Sequence, residues 1–335
     1  MTDQQQLRQN KITGEWVIYS PARGSRPKDT GEEIPEQPAL PELDPACPFC
    51  PGNEDQLPEI LGAWDHPTGK GWQVRAVPNK YPAVTPEGNS IRQQEGIYLT
   101  MSGHGHHEVI IESPRHNHNV ASMPREEIEL ILAAYQQRFN RHRRDREVRM
   151  ILPFRNHGPK AGTSLRHPHS QLMAINVVPS YVRFREDQAR HYHDDWGRCI
   201  HCDLLKEESA SGDRVFFENE GFLSFVPYFA ETPFEIWLLP RKHRSNYGDI
   251  SPGELSDLAE SLQDTLSRLD EELQDPDYNY VIHTSSHPEI ELPYHHWFLE
   301  IQPRITARAG FEIGSGMRVN PSLPEEDADR LRSSL

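Results

Sequence analysis

The chain has 335 residues, with 51 acidic and 35 basic side chains and a formal charge of −16, which at roughly 150 residues per domain means two domains or one doubled unit. No run approaches about 18 uninterrupted apolar residues, and the start has no basic stretch leading into an apolar one, so neither a membrane span nor a signal peptide is expected. The acidic balance speaks against a broad polyanion-binding surface, and four cysteines are too few for a disulfide framework.

Residues 24–70 are rich in Pro, Glu and Gly and hold Cys47-Pro-Phe-Cys50. This reads as a loop that needs a staple. Glu108 to Glu112 reads as a short buried strand and is followed by His116. A helix is predicted from near Ser122-Met-Pro124, with Ile128, Leu130, Ile131, Leu132, Ala134 and Tyr135 at mixed helical spacing. The basic run Arg138 to Arg149 is interrupted by Asp145 and Glu147 and reads as a solvated helix face. Glu147 to Phe154 is a predicted strand, then a Gly-containing polar loop runs from Asn156 to Ser164. The string His167-Pro-His169-Ser-Gln171 opens the next strand.

The second half repeats the order. It has a second pair, Cys199-Ile-His-Cys202, then strands over Phe222 to Pro227 and Glu235 to Leu239, then His243. Ser251-Pro252-Gly-Glu254 reads as a capping box. The helix behind it carries Leu255, Leu258, Leu262, Leu266 and Leu269 on one face. Strands follow at Tyr278 to His283 and at Tyr294 to Ile301. His116 to His167 spans 51 residues and His243 to His296 spans 53. That near-equality predicts a duplicated α+β unit of antiparallel sheets and packed helices.

A structural Zn²⁺ site takes four thiolate or imidazole ligands in a tetrahedron, and Cys-x-x-Cys supplies two from one turn. The expected sets are Cys47, Cys50, His116 and His167, and Cys199, Cys202, His243 and His296. His118 competes with His116, and His295 with His296. Four protein ligands leave no open position, so both metals are expected to be structural. His104, His106 and His107, in a Gly-rich stretch, read as an exposed loop.

Strand alternation puts residues 167, 169 and 171 on one face. With His167 anchored by metal, His169 is fixed. A proton on its Nδ1 bonded to a backbone carbonyl would leave Nε2 as a neutral nucleophile toward phosphorus. Gln171 and the turn from Gly162 to Ser164 would donate to phosphate oxygens. If His296 takes the place of His167, Phe298 stands where a second nucleophile would be, so one reaction centre per chain is expected.

These strings resemble the galactose-1-phosphate uridylyltransferase branch of the histidine triad superfamily. Leu7-Arg-Gln-Asn-Lys-Ile-Thr-Gly-Glu-Trp-Val-Ile, followed by Pro21-Ala-Arg23-Gly-Ser-Arg26-Pro, is similar to the N-terminal signature of that family. Val77-Pro-Asn79-Lys-Tyr-Pro resembles its nucleotide-contacting segment, and Gly310-Phe-Glu312 resembles the segment that reaches the neighbouring subunit of a homodimer. The resemblance implies two tandem histidine-triad-like domains, 1–180 with one zinc site and the nucleophile and 181–335 with the second metal site. It also implies a cytoplasmic enzyme acting on small molecules, with neither nucleic acid nor membrane as partner. His169 would carry a uridylyl group from UDP-glucose to a hexose 1-phosphate. Arg23, Arg26, Asn79, Asn156, Gly162, Ser164, Gln171 and Glu312 would face substrate. Ser170 and the second cysteine pair depart from the best-known members and resemble the ADP-glucose phosphorylase branch, in which inorganic phosphate is the acceptor.

Overall fold

Alternating side chains from two separate stretches of sequence build one sheet. The computed structural model describes residues 5–24, 40–69 and 71–335. In chain order the strands begin with β1 (Gln6–Gln9) and β2 (Trp16–Tyr19), then β3 (Gly62–Asp65) and β4 (Trp72–Pro78), the small hairpin β5 (Arg92–Glu95) and β6 (Tyr98–Met101), and β7 (Gly105–Ile111). Helix α1 (Arg125–His142) leads to β8 (Met150–His157) and β9 (His169–Ile175). Helices α2 (Ser180–Trp196) and α3 (Ile200–Ser211) precede β10 (Val215–Glu218), β11 (Phe222–Phe225) and β12 (Ile236–Pro240). Then come α4 (Pro252–Leu273), β13 (Tyr278–His283), β14 (Phe298–Pro303), α5 (Gly310–Ser315), β15 (Arg318–Asn320) and α6 (Pro324–Ser333).

Ten strands form one antiparallel sheet in the order β10-β11-β12-β14-β13-β8-β9-β7-β4-β3. Each half supplies five of them in matching order, and β8 meets β13 in the middle with Asn156 opposite Asn279. The duplicated α+β architecture expected from the spacing is therefore present, merged into a continuous sheet.

One face of the sheet is covered by α1 and α4, whose Ile128, Ile131, Leu132, Leu258, Leu262 and Leu266 share a single apolar cluster. The capping box of α4 forms as expected, with the Ser251 hydroxyl accepting from the Glu254 N–H and the Glu254 carboxylate accepting from the Ser251 N–H. Pro124 stands at the N-cap of α1, so that helix begins where the sequence places it, one turn ahead of Ile128, the first residue of its apolar pattern. Arg138 departs from the solvated face expected of the basic run. Its guanidinium pairs with buried Glu108 at 2.6 and 2.8 Å, and His142 bonds the same carboxylate at 2.7 Å.

On the other face the halves differ. In the second half α2, α3 and Ile12 close over Leu223, Phe225, Trp237, Leu239 and Phe298. In the first half Gln171 and Met173 are only partly covered. Among the described residues no helix is long and apolar enough to cross a membrane.

Candidate active site

The loop around the first cysteine pair is ordered by turns, with the Cys50 N–H donating to the Cys47 carbonyl. Cys50 Sγ lies 3.6 Å from His116 Nδ1 and 3.5 Å from His167 Nδ1, and these three with Cys47 form a buried four-residue cluster. Cys199 caps α3, and Cys202 lies in its first turn. Cys202 Sγ is 3.3 Å from His243 Nδ1 and 3.6 Å from His296 Nδ1. With Zn–S near 2.3 Å and Zn–N near 2.0–2.1 Å, a tetrahedral ion separates sulfur from nitrogen by about 3.6 Å. Both clusters fit that span.

The second shell fits as well. His167 Nε2 bonds the Ser113 carbonyl at 2.8 Å and His243 Nε2 bonds the Leu292 carbonyl at 3.1 Å, so in both rings Nδ1 is the nitrogen left to face the sulfurs. Burial pushes His167 down to about 4, which keeps it neutral. His118 lies outside the first cluster, bonded to the Ser113 hydroxyl at 3.0 Å. His295 lies outside the second and turns toward Glu186 at 4.0 Å. The residues can hold two metal ions, and the donor sets suit zinc.

Strand β9 starts at His169 rather than at His167. Pro168 has no N–H to give the ladder, although its carbonyl accepts from the Glu112 N–H at 3.1 Å. His169 is buried, and its Nδ1 is 2.8 Å from the His167 carbonyl. A carbonyl only accepts, so the proton sits on Nδ1 and Nε2 keeps its lone pair. Burial lowers the basicity of His169, with the His167 carbonyl opposing that shift. The ring is thus neutral near pH 7. Phe49, inside the first cysteine pair, packs 5.4 Å from the His169 ring, so the cysteine loop also walls that imidazole.

Gln171 shares the open face with His169, while Leu172 and Ala174 turn inward against Phe139. The 156–164 loop is held from the second half of the chain. Asn279 Nδ2 donates to Asn156 Oδ1 at 2.8 Å and to the Ala161 carbonyl at 2.9 Å, and the Asp277 carboxylate accepts the Lys160 N–H at 2.5 Å. Gly158 (φ +82°) lies against Asp277, where a Cβ would fall 2.0 Å from its carboxylate. Gly162 has φ +90°, a conformation open to glycine and strained for other residues, and Ser164 is exposed beyond it.

Asn79 joins the site, its Nδ2 3.5 Å from Gln171 Oε1. Arg23 stands exposed on a 3₁₀ turn over Pro21–Arg23 and shares no hydrogen bond or ion pair with β9 among the described residues. Arg26 lies outside the described residues. Glu312 is in α5 and accepts from the Ala309 N–H at 3.1 Å.

The histidines read as an exposed loop are corrected by the structure. His104 is buried, His106 and His107 lie in β7 directly after its first residue, and His104 and His106 bond Asp145 at 3.1 and 3.2 Å. His107 Nε2 lies 2.7 Å from Gln171 Oε1. Two-residue alternation back from Ile111 and Val109 to His107 is the signal that places it on the site face. In the second half Phe298 stacks on Trp237 at 4.1 Å and on His283 at 4.7 Å, with Arg185 over its ring.

Residues 1–179 match the family described as galactose-1-phosphate uridyl transferase, N-terminal domain, and residues 185–332 match the C-terminal domain of the same family. The chain belongs to the galactose-1-phosphate uridylyltransferase family. It is a transferase of that family with an α+β fold. It is 38% identical to an ADP-glucose phosphorylase of Arabidopsis thaliana, over 98% of this chain and 92% of that protein. It is 28% identical to a galactose-1-phosphate uridylyltransferase of Thermotoga maritima, over 98% of both chains. A crystal structure of the Arabidopsis ADP-glucose phosphorylase with bound ADP-glucose superposes with a TM-score of 0.85 at 35% identity, covering 98% of both chains. A uridylyltransferase structure superposes with a TM-score of 0.76 at 29% identity, covering 99% of this chain and 98% of the other.

Proposed function

We propose that the enzyme transfers a nucleotidyl group from a nucleotide sugar through a covalent nucleotidyl-His169. The observation that carries this reading is the His169 Nδ1 bond to the His167 carbonyl, which leaves Nε2 neutral and unprotonated on the open face. Nε2 attacks the α-phosphorus as the bond from phosphorus to the bridging oxygen breaks, and hexose 1-phosphate leaves. An acceptor phosphate oxygen then attacks the same phosphorus, and the bond to Nε2 breaks. Both steps move negative charge onto the α-phosphoryl oxygens, where Gln171 and Asn156 donate N–H groups. Asn156 Oδ1 is already engaged by Asn279, so its Nδ2 is the free donor.

Zinc would be held by Cys47, Cys50, His116 and His167 and by Cys199, Cys202, His243 and His296. It would cross-link loop to sheet, with no open position for chemistry. Arg23, Arg26, Asn79, Gly162, Ser164 and Glu312 are assigned to substrate by resemblance. The division at residues 180 and 181, the homodimer and a cytoplasmic location belong to the same proposal.

Uridylyl transfer between UDP-glucose and a hexose 1-phosphate is the reading supported by the family's description. A second reading, phosphorolysis of ADP-glucose, is favoured by the higher identity to the Arabidopsis phosphorylase and by the second Cys pair. Incubating the enzyme with UDP-glucose or ADP-glucose, each with galactose 1-phosphate or inorganic phosphate, separates them by product. Either reading requires a nucleotidyl adduct on His169 by peptide mass spectrometry. Its absence, or an adduct on another residue, refutes both. Metal analysis of protein purified without chelators tests the zinc assignment, and finding no zinc refutes it.

A further inference from the structure

Gln171 can help a phosphoryl transfer only if its amide nitrogen, and not its oxygen, faces the phosphate. The Ala83 backbone N–H points at His107 Nδ1, 3.1 Å away. A backbone N–H is always a donor, so Nδ1 accepts. The neutral ring then carries its single proton on Nε2. That Nε2–H lies 2.7 Å from Gln171 Oε1. Asn79 Nδ2 lies 3.3 Å from His107 Nε2, which as a donor cannot accept from it, and 3.5 Å from the same Gln171 oxygen, which can; its identity as nitrogen follows because Asn79 Oδ1 accepts from the Tyr81 N–H at 2.9 Å. Two donors whose roles are both set by backbone amides therefore converge on one carboxamide oxygen. Turning the Gln171 carboxamide over would put its NH₂ against the His107 and Asn79 donors.

We infer that His107 is a positioning residue, which fixes the Gln171 carboxamide so that its NH₂ faces the α-phosphate. The inference rests on the proposed chemistry at His169. Carboxamide oxygen and nitrogen differ little in size, so without His107 the group can rotate. It then presents an acceptor to a phosphate oxygen that is gaining charge. The loss falls on the transition state more than on ground-state binding.

The test is a double-mutant cycle on single-turnover labelling of His169, using whichever of UDP-glucose and ADP-glucose the wild-type enzyme accepts. His107→Phe is expected to slow labelling by about 10- to 100-fold with a smaller change in nucleotide-sugar affinity. In a Gln171→Ala background the same substitution should cost less than about threefold, because the group it orients is gone. His107→Gln, whose own amide can donate to Gln171 Oε1, should recover most of the rate. Equal losses in both backgrounds, or no loss from His107→Phe where Gln171→Ala has one, overturn the inference. A wild-type enzyme that forms no adduct on His169 overturns the underlying chemistry instead, so the two failures are distinguishable. Melting temperatures of all variants report whether a loss is one of folding.

Discussion

Replacing Arg155 by Met tests the packing behind the reaction centre. The Arg155 guanidinium is 2% exposed and donates through Nε to Glu112 at 2.9 and 3.2 Å and through an Nη to the Tyr278 hydroxyl at 2.7 Å. Glu112 is fully buried, and its other described side-chain partner is the Tyr135 hydroxyl at 3.2 Å. Methionine fills much of the volume but leaves a carboxylate in an apolar core without its cation. Removing one member of a buried ion pair costs about 3–5 kcal/mol. Unfolding entropy near 2.1 cal/mol/K per residue gives about 0.7 kcal/mol/K for this chain length, so the melting temperature should fall by about 4–7 °C. The partner change Glu112→Gln should return at least half of that loss when combined with Arg155→Met, because the uncompensated charge is then gone. Circular dichroism melts of the two single variants and the double variant decide it. A fall under about 2 °C for Arg155→Met, or single-variant losses that add in the double, would refute the view that this pair is energetically coupled in the core.

His169→Asn should abolish nucleotidyl labelling while shifting the melting temperature by less than about 2 °C, whereas Cys50→Ala should lower both stability and activity. A large melting loss for His169→Asn would mean that ligand and nucleophile have been exchanged. Glu108 gives a pH prediction: burial opposes its charge, but Arg138 and His142 outweigh burial and hold it at about 2, below the ordinary 4.5. Its stabilisation, on the order of 3 kcal/mol, is fully present above pH 4.5 and lost as pH falls toward 2. In urea titrations the wild type should therefore exceed Glu108→Gln at pH 7, and the gap should shrink below pH 4.5 and close as pH falls through about 2; a constant gap would count against the assignment. Asn279→Ala, in the half without a nucleophile, should slow labelling of His169 by about tenfold or more, and an unchanged rate would show that the 156–164 loop needs no such hold.

Much of the metal geometry was legible because it is carried by residue type and spacing. Two Cys-x-x-Cys pairs followed by histidines 51 and 53 residues apart describe two like units, and the ligand atoms do meet. Choosing between adjacent histidines was not legible. That depends on which way the chain turns on entering β14, where His296 faces Cys202 and His295 faces Glu186. Helix α2 was missed for a physical reason: among its residues Ala189 is the one fully buried, so no apolar stripe announces it. His107 was missed because β7 starts in residues that read as a polar loop, and its alternation with Val109 shows only once that start is known. Arg138 looked solvated because helix periodicity says nothing of a carboxylate on a strand beneath it.

On the proposed chemistry at His169, the duplication explains why one half would react and the other would not. In both, a cluster histidine precedes a strand by two residues, so the first strand residue is delivered to the same place. In the first half that residue is His169, under a face left partly open. In the second it is Phe298, stacked between Trp237 and His283 and covered by α2 and α3. Placing histidine at 298 would therefore set its ring between Trp237 and His283 with the Arg185 guanidinium over it, not on a partly open face. The second half reaches the proposed site from the middle of the sheet, where β13 pairs with β8 and brings Asn279 and Asp277 onto the loop that follows it. A hold of this kind requires β8 and β13 to be in fixed register, which a flexible linker between two separate sheets would not give. The continuous sheet is thus part of the proposed site, since it engages the oxygen of Asn156 and leaves the amide nitrogen as the end that would face a phosphate.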